Sequence, residues 1–183
     1  DILFNQDFWF AVLRSTTPVL LTTLGAIIAS RAGARNIALE GTMLTAALVG
    51  VVGSALTQNA YLGLLMAVVS GIIMSNILAY FALKLKSNII LTGIALNLMA
   101  TGGTVFGLYL FTGDKGASTS LHSLALPNIN IPIIENIPVI GKILSGHHIL
   151  TYVGLILVGL IWIMFNRTTL GLRIKAVGES PEA

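Results

Sequence analysis

The chain has 183 residues, 55% of them hydrophobic and only 9% charged, with a net charge of +3 and no cysteine. Water-soluble domains carry about 25% charged residues, so this chain is solvated by lipid. The small positive charge sits in short loops, unlike a nucleic-acid surface, and the lack of cysteine excludes a disulfide framework or a thiolate metal site.

Five apolar stretches are long enough, or nearly so, to cross a hydrocarbon core that needs about 20 helical residues. They cover approximately residues 8–30, 37–56, 61–83, 89–111 and 148–165. Only helices and closed barrels satisfy the backbone in lipid, and these runs are too uniformly apolar for alternating barrel strands. The fold class expected is all-α, a polytopic transmembrane helical bundle of about five spans.

The first span opens with Phe8, Trp9 and Phe10, which fit an aromatic belt at the outer interface, as Trp162 fits one at the inner interface. Arg14 is placed to snorkel outward, and Pro18 to kink the helix, with Ser15 and Thr17 satisfying freed carbonyls. Arg31 and Arg35 precede Asn36-Ile37-Ala38-Leu39-Glu40-Gly41. Glu40 is then a carboxylate at the mouth of an apolar segment. It lines or gates a solute path, or it is an interfacial acid held by a helix N-terminus and by Arg35 or Arg31. A structural or gating role is favoured over direct solute contact.

Small residues recur at four-residue spacing: Thr42, Ala46, Gly50 and Ser54 on the second span, and Gly63, Ala67, Gly71, Ser75 and Ala79 on the third. Such stripes let backbones approach closely, which is ordinary bundle packing. Lys84 and Lys86 separate the third and fourth spans. On the fourth, Gly93, Asn97, Thr101 and Thr104 share a face, with Ser87 and Asn88 at its entrance. That face either lines a path for a hydroxylated solute or hydrogen-bonds to neighbouring helices, at about 1 kcal/mol per contact.

Residues 112–147 carry Asn130-Ile131-Pro132 and again Asn136-Ile137-Pro138, with Pro127 before them. The prolines block a continuous helix, and the many isoleucines suit a segment folded down on the bundle or lying in the interface. His122, His147 and His148 lack the clustered partners of a metal site. Lys142 has no P-loop around it, and there is neither a serine elbow nor a zinc-protease helix motif. No catalytic residue, metal or cofactor is assigned, so any ATP is hydrolysed on another subunit.

The segment 166–183, with Gly171, Leu172, Arg173, Lys175, Gly178 and Glu179, is a basic handle for a soluble partner. Gly171 and Gly178 are expected to turn the chain tightly at either end of Leu172–Val177, and Ser180 and Pro181 to start a helix. With a helix beginning there, the 183 residues are expected to be the N-terminal part of a longer protein. The cation clusters around Arg31, Lys84 and Arg173 fall on one side if every span crosses once. That side is expected to be cytoplasmic, with residues 57–60 and 112–147 outside.

With these residues in view, the chain resembles permease subunits of bacterial ABC importers, the large family of simple-sugar, branched-chain amino acid and nucleoside permeases. The resemblance rests on Arg14-Ser15-Thr16-Thr17-Pro18, on residues 31–41, on Thr92-Gly93-Ile94-Ala95-Leu96-Asn97 and on residues 173–183. Two departures are Ala38, where the family often has glycine, and Arg35, where an apolar residue is usual. The nucleoside (guanosine and purine) branch is the most similar in its outer segment, matched by residues 131–141.

The resemblance implies a multi-pass protein of the bacterial cell membrane and a heteromeric importer. Its partners would be an ATP-binding subunit, a second permease subunit (homologous or identical) and an extracytoplasmic substrate-binding lipoprotein, with membrane lipid around them and no nucleic acid. It also implies that the 166–183 segment docks on the ATPase. A nucleoside is polar but uncharged, so a path of Asn, Thr and Ser suits it better than fixed charges; the path residues expected are Asn97, Thr101 and Thr104, with Glu40 at the mouth. A sugar or branched-chain amino acid is the alternative solute. An ion-coupled secondary transporter would need inverted repeats and carboxylates deep in the spans, and neither is found.

Overall fold

The computed structural model describes residues 6–113, 121–129 and 146–180. Its helices are α1 (Gln6–Arg31), α2 (Leu39–Thr57), α3 (Ala60–Ala79), α4 (Ile89–Thr112), α5 (Ile149–Arg167) and α6 (Thr169–Glu179). The first five are long and apolar enough to cross a membrane, α3 being prolonged by a π-helical turn over Tyr80–Lys84. They follow the five expected spans closely. Their ends are set locally. Asn59 and Asn88 cap α3 and α4 by accepting from the backbone N–H groups of Tyr61 and Leu62, and of Ile90 and Leu91. Gln58 and Gly113 end α2 and α4 in the left-handed conformation.

The chain divides into two compact units, residues 34–125 and residues 1–33 with 126–183. In the first unit the expected small-residue stripes meet. A Cβ on Gly63 would lie 2.7 Å from Ser54 Cβ and 2.8 Å from Gly50 O, and one on Gly50 would lie 3.2 Å from Ala67 Cβ. Only one end of the α3 stripe is used in this way, since a Cβ on Gly71 would meet nothing within 4 Å. Helix α4 runs parallel to α2, with Gly93 beside Ile37, Gly41 beside Ala100, and Gly107 beside Leu48. Ala38, Met74, Leu78, Leu96 and Ala100 form the buried core of this unit. Ser54 also reaches past α3, for its hydroxyl donates to Leu124 O at 3.1 Å and accepts from Leu124 N at 3.0 Å. This ties the 121–125 stretch to α2. Residues 130–145, with both Asn-Ile-Pro motifs, lie outside the described residues.

In the second unit α1 and α5 run parallel. Phe10 stacks on His147 with ring centroids 4.1 Å apart, Thr17 shares a 2.9 Å hydroxyl hydrogen bond with Thr151, and Leu20 and Leu21 cover Gly154. Helix α1 is one element through Pro18, and Thr16 and Thr17 donate to Val12 O and Leu13 O. Asn128–Ile129 pairs antiparallel with His147–His148. The His148 ring also bonds to Leu126 O through Nδ1 at 3.1 Å.

Candidate functional site

The start of α2 is assembled from two helices. Its N-cap is Ala38, which has no side chain able to accept a hydrogen bond. The first turn of any helix leaves N–H groups without intrahelical partners. Here Asn97 of α4 supplies the missing cap: its Oδ1 accepts from Gly41 N at 2.8 Å, and its Nδ2 donates to Ile37 O at 2.9 Å. One amide satisfies a donor and an acceptor on either side of the cap, and its orientation is fixed by that network. The approach demands glycine, since a Cβ on Gly41 would stand 2.9 Å from Asn97 Oδ1 and 3.1 Å from Asn97 Cα. Asn36 completes the turn by accepting from Ala38 N at 3.0 Å.

Around this joint lie the other polar residues singled out in the sequence. Glu40 is exposed in the first turn of α2, next to the bonded Gly41. Thr101 donates to Asn97 O at 2.8 Å and Thr104 to Thr101 O at 3.3 Å, so each hydroxyl proton is engaged within α4 while the oxygen can still accept. Thr104 also borders a hollow of about 250 Å³ between α2 and α4, whose other walls include Leu44, Leu48, Val51 and Leu108. Asn97, Thr101 and Thr104 therefore do share a face of α4, but the Asn97 amide is engaged with α2. Sequence reasoning missed Gly41 and the Ile37 carbonyl as its partners. The signal available was Ala38, an N-cap position with no capping side chain.

The second polar element is α6, and here the structure corrects the expectation. Thr169–Glu179 is a helix, not a loop with a turn at each end. Thr168 caps it by accepting from Gly171 N at 3.3 Å. Gly171 and Gly178 are helical residues whose role is close approach. A Cβ on Gly171 would lie 2.2 Å from Met164 O, and one on Gly178 would lie 2.2 Å from Arg31 O. Glycine costs a helix interior about 1 kcal/mol relative to alanine, so sequence propensity argues for a turn and packing overrides it. Ser180 ends α6, its N–H donating to Ala176 O at 2.9 Å, and the helix expected from Pro181 lies outside the described residues.

Through these glycines α6 lies across the ends of two parallel membrane-length helices, α5 and α1. Gly33, in the turn after α1 with φ +79°, sits against Gly178, and its own Cβ would be 3.1 Å from Gly178 Cα. Lys175 turns inward: its Nζ donates to Phe165 O at 3.1 Å and stands over the Phe165 ring, which complements the C-terminal end of α5. The outer surface of α6 carries exposed Leu172, Arg173, Val177 and Glu179. Lys175 thus anchors the helix from within, while the residues that face away remain available to a partner.

Membrane-length helices with a short polar helix folded across their ends define a multi-pass integral membrane protein. The chain belongs to the family described as branched-chain amino acid transport system / permease component, which matches residues 8–183. It is similar to a putative glucose ABC transporter permease protein of Haloferax volcanii, with 34% identity over 94% of this chain and 51% of the relative. The guanosine ABC transporter permease protein of Bacillus subtilis is also 34% identical, over 94% of this chain and 56% of its own length. A nucleoside ABC transporter permease protein of Lactococcus lactis is 31% identical over the same shares. The chain spans about half the length of the curated relatives it matches. No solved structure matches it. Equal identity to glucose and guanosine relatives means that overall similarity does not separate a sugar from a nucleoside.

Proposed function

We propose that this chain builds part of the membrane path of an ATP-driven importer for a small, uncharged polar solute, and that the solute is a nucleoside. The observation that carries the ATP-driven part is α6. It is a capped helix held against the ends of α1 and α5 by Gly178 and Gly171, with Leu172, Arg173 and Val177 turned outward. Exposed apolar anchors ringed by Arg173 and Glu179 suit docking on a soluble ATP-binding subunit. A push on α6 is then delivered to two membrane helices through contacts with no side chain between them. ATP hydrolysis belongs to that separate subunit. A second permease subunit would complete the path, and an extracytoplasmic binding lipoprotein would deliver the solute.

On the path side, Glu40, Thr101 and Thr104 offer hydrogen-bonding groups suited to hydroxyls, while Asn97 holds the start of α2 where Glu40 is presented. The guanosine and nucleoside relatives support the nucleoside assignment. The glucose relative supports a second reading, in which the solute is a simple sugar. Uptake of radiolabelled guanosine by the full-length complex decides between them. Excess unlabelled nucleosides should abolish uptake, and excess glucose, ribose or leucine should not. Absence of saturable guanosine uptake, with saturable uptake of labelled glucose by the same complex, would overturn the assignment in favour of the sugar.

A further inference from the structure

Between α3 and α4 runs a groove of about 550 Å³ that the proposed function does not use. Ile77 and Phe81 form one wall, and Leu91, Ala95 and Met99 form the other. The last three are four residues apart, so they line one stripe of α4 about 12 Å long. At membrane depth such a concavity does not stay empty, because its lining would lose dispersion contacts and no water would replace them. An acyl chain or a protein helix fills it.

Charge at the groove's end decides which. The π-helical turn folds the Lys84–Asn88 loop back over Phe81, with Ser87 N donating to Phe81 O at 3.0 Å. Phe81 lines the groove on one side of this loop, and Leu91 lines it on the other. The loop therefore borders the groove's mouth, and both of its lysines are exposed. Lys84 is oriented by the Tyr80 ring, 5.5 Å from its centroid, and Lys86 sits at φ +51°. Residues 60–112, which hold α3, the π-helical turn, the loop and α4, contain no Asp or Glu, and the carboxylate at this end of the unit is Glu40 in the first turn of α2. An apolar slot about 12 Å deep, compared with roughly 15 Å for one leaflet of a ~30 Å core, matches one acyl chain. Two lysines at its mouth match a phosphate.

We propose that the α3–α4 groove and the Lys84–Lys86 loop form a binding site for an anionic phospholipid. The acyl chain lies along Leu91, Ala95 and Met99, and the headgroup phosphate sits between the lysines. The site is independent of which solute the protein moves.

The test is native mass spectrometry of the purified full-length complex titrated with phosphatidylglycerol or phosphatidylcholine. The wild type should retain phosphatidylglycerol preferentially. Lys84→Gln with Lys86→Gln should weaken that retention by about 25-fold, at about fivefold or 1 kcal/mol per lysine, and remove the preference. Ala95→Trp should fill the groove and weaken both lipids, and millimolar glycerol phosphate, which has a headgroup and no tails, should displace neither. Both lysines are exposed, so the lysine variant tests the site even if Ala95→Trp does not fold. No preference for phosphatidylglycerol, or equal retention by the lysine variant, would overturn the proposal. So would displacement by glycerol phosphate, or cross-linking of Met99→Cys to a protein segment in native membranes, which would assign the groove to a helix.

Discussion

The side-chain amide of Asn97 caps a helix to which it does not belong, accepting the Gly41 N–H at 2.8 Å and donating to Ile37 O at 2.9 Å. Asn97→Leu keeps the volume and removes both bonds. Hydrogen bonds between membrane helices contribute about 0.6–1.7 kcal/mol each, so the variant should lose about 1–3 kcal/mol. Asn97→Asp should be at least as harmful, because it sets an oxygen against Ile37 O. Thermal unfolding of the full-length protein in detergent measures this. An unchanged midpoint for Asn97→Leu would show that the cap carries no stability.

Gly178, like Gly171, should tolerate no side chain. Even Gly178→Ala places a Cβ 2.2 Å from Arg31 O and 3.0 Å from Gly33 N, all of it backbone. The helix must lift from the α1 end. Trypsin should then cleave faster at Arg173 in the assembled protein. If cleavage rates match the wild type, the Gly33–Gly178 contact does not hold α6 in place.

Docking on an ATPase needs a different probe, because Gly178 variants disturb the fold itself. Arg173 and Leu172 are exposed, the latter at 64%, so Arg173→Glu and Leu172→Asp leave the α6 packing intact. Both should lower co-purification of the ATP-binding subunit with the full-length permease by tenfold or more, the equivalent of about 1.4 kcal/mol. Retention of the ATPase by both variants would contradict the docking role.

Two glycines of one stripe should behave oppositely. Gly63→Val meets Ser54 and the Gly50 carbonyl under 3.0 Å and should cost about 1–3 kcal/mol by overpacking. Gly71→Ala meets nothing within 4 Å and should be neutral or slightly stabilising. The same thermal assay separates them, and equal losses would mean that the stripe packs along its full length.

The cation distribution predicts sidedness. In the 34–125 unit, α2 and α4 begin side by side, which brings Arg35 and the Lys84–Lys86 loop to one end. In the other unit, α6 meets the end of α1 at Arg31. Single cysteines at Lys86 and Arg173 in a cysteine-free full-length protein should react with an impermeant maleimide only after the membrane is opened from the cytoplasmic side. Cysteines at Gln58 and Ser123 should react from outside. The opposite labelling would invert the topology.

The five spans were legible in the sequence, because the demand for about 20 apolar helical residues is set by the bilayer and not by neighbouring elements. The packing of Gly50, Ser54, Gly63 and Ala67 was legible too, since four-residue spacing places small residues on one helical face. Less was legible wherever a residue answers to a distant partner. Asn97 looked equally suited to lining a path or bonding to a helix, because sequence spacing does not say what lies opposite. Its bond to Gly41 joins residues 56 apart.

Residues 169–179 show the same limit most clearly. Local propensity treats Gly171 and Gly178 as breakers, and by itself it is right about their cost. Only the tertiary structure shows that each glycine lies where a Cβ would strike the backbone of α5 or α1, so that the helix forms because it packs. The sequence alone determined the membrane class and the span positions, which follow from the hydrocarbon thickness and the run length of apolar residues. Tertiary structure decided which glycine marks a contact, which amide caps which helix and which lysine turns inward, because those outcomes depend on what approaches from elsewhere in the chain.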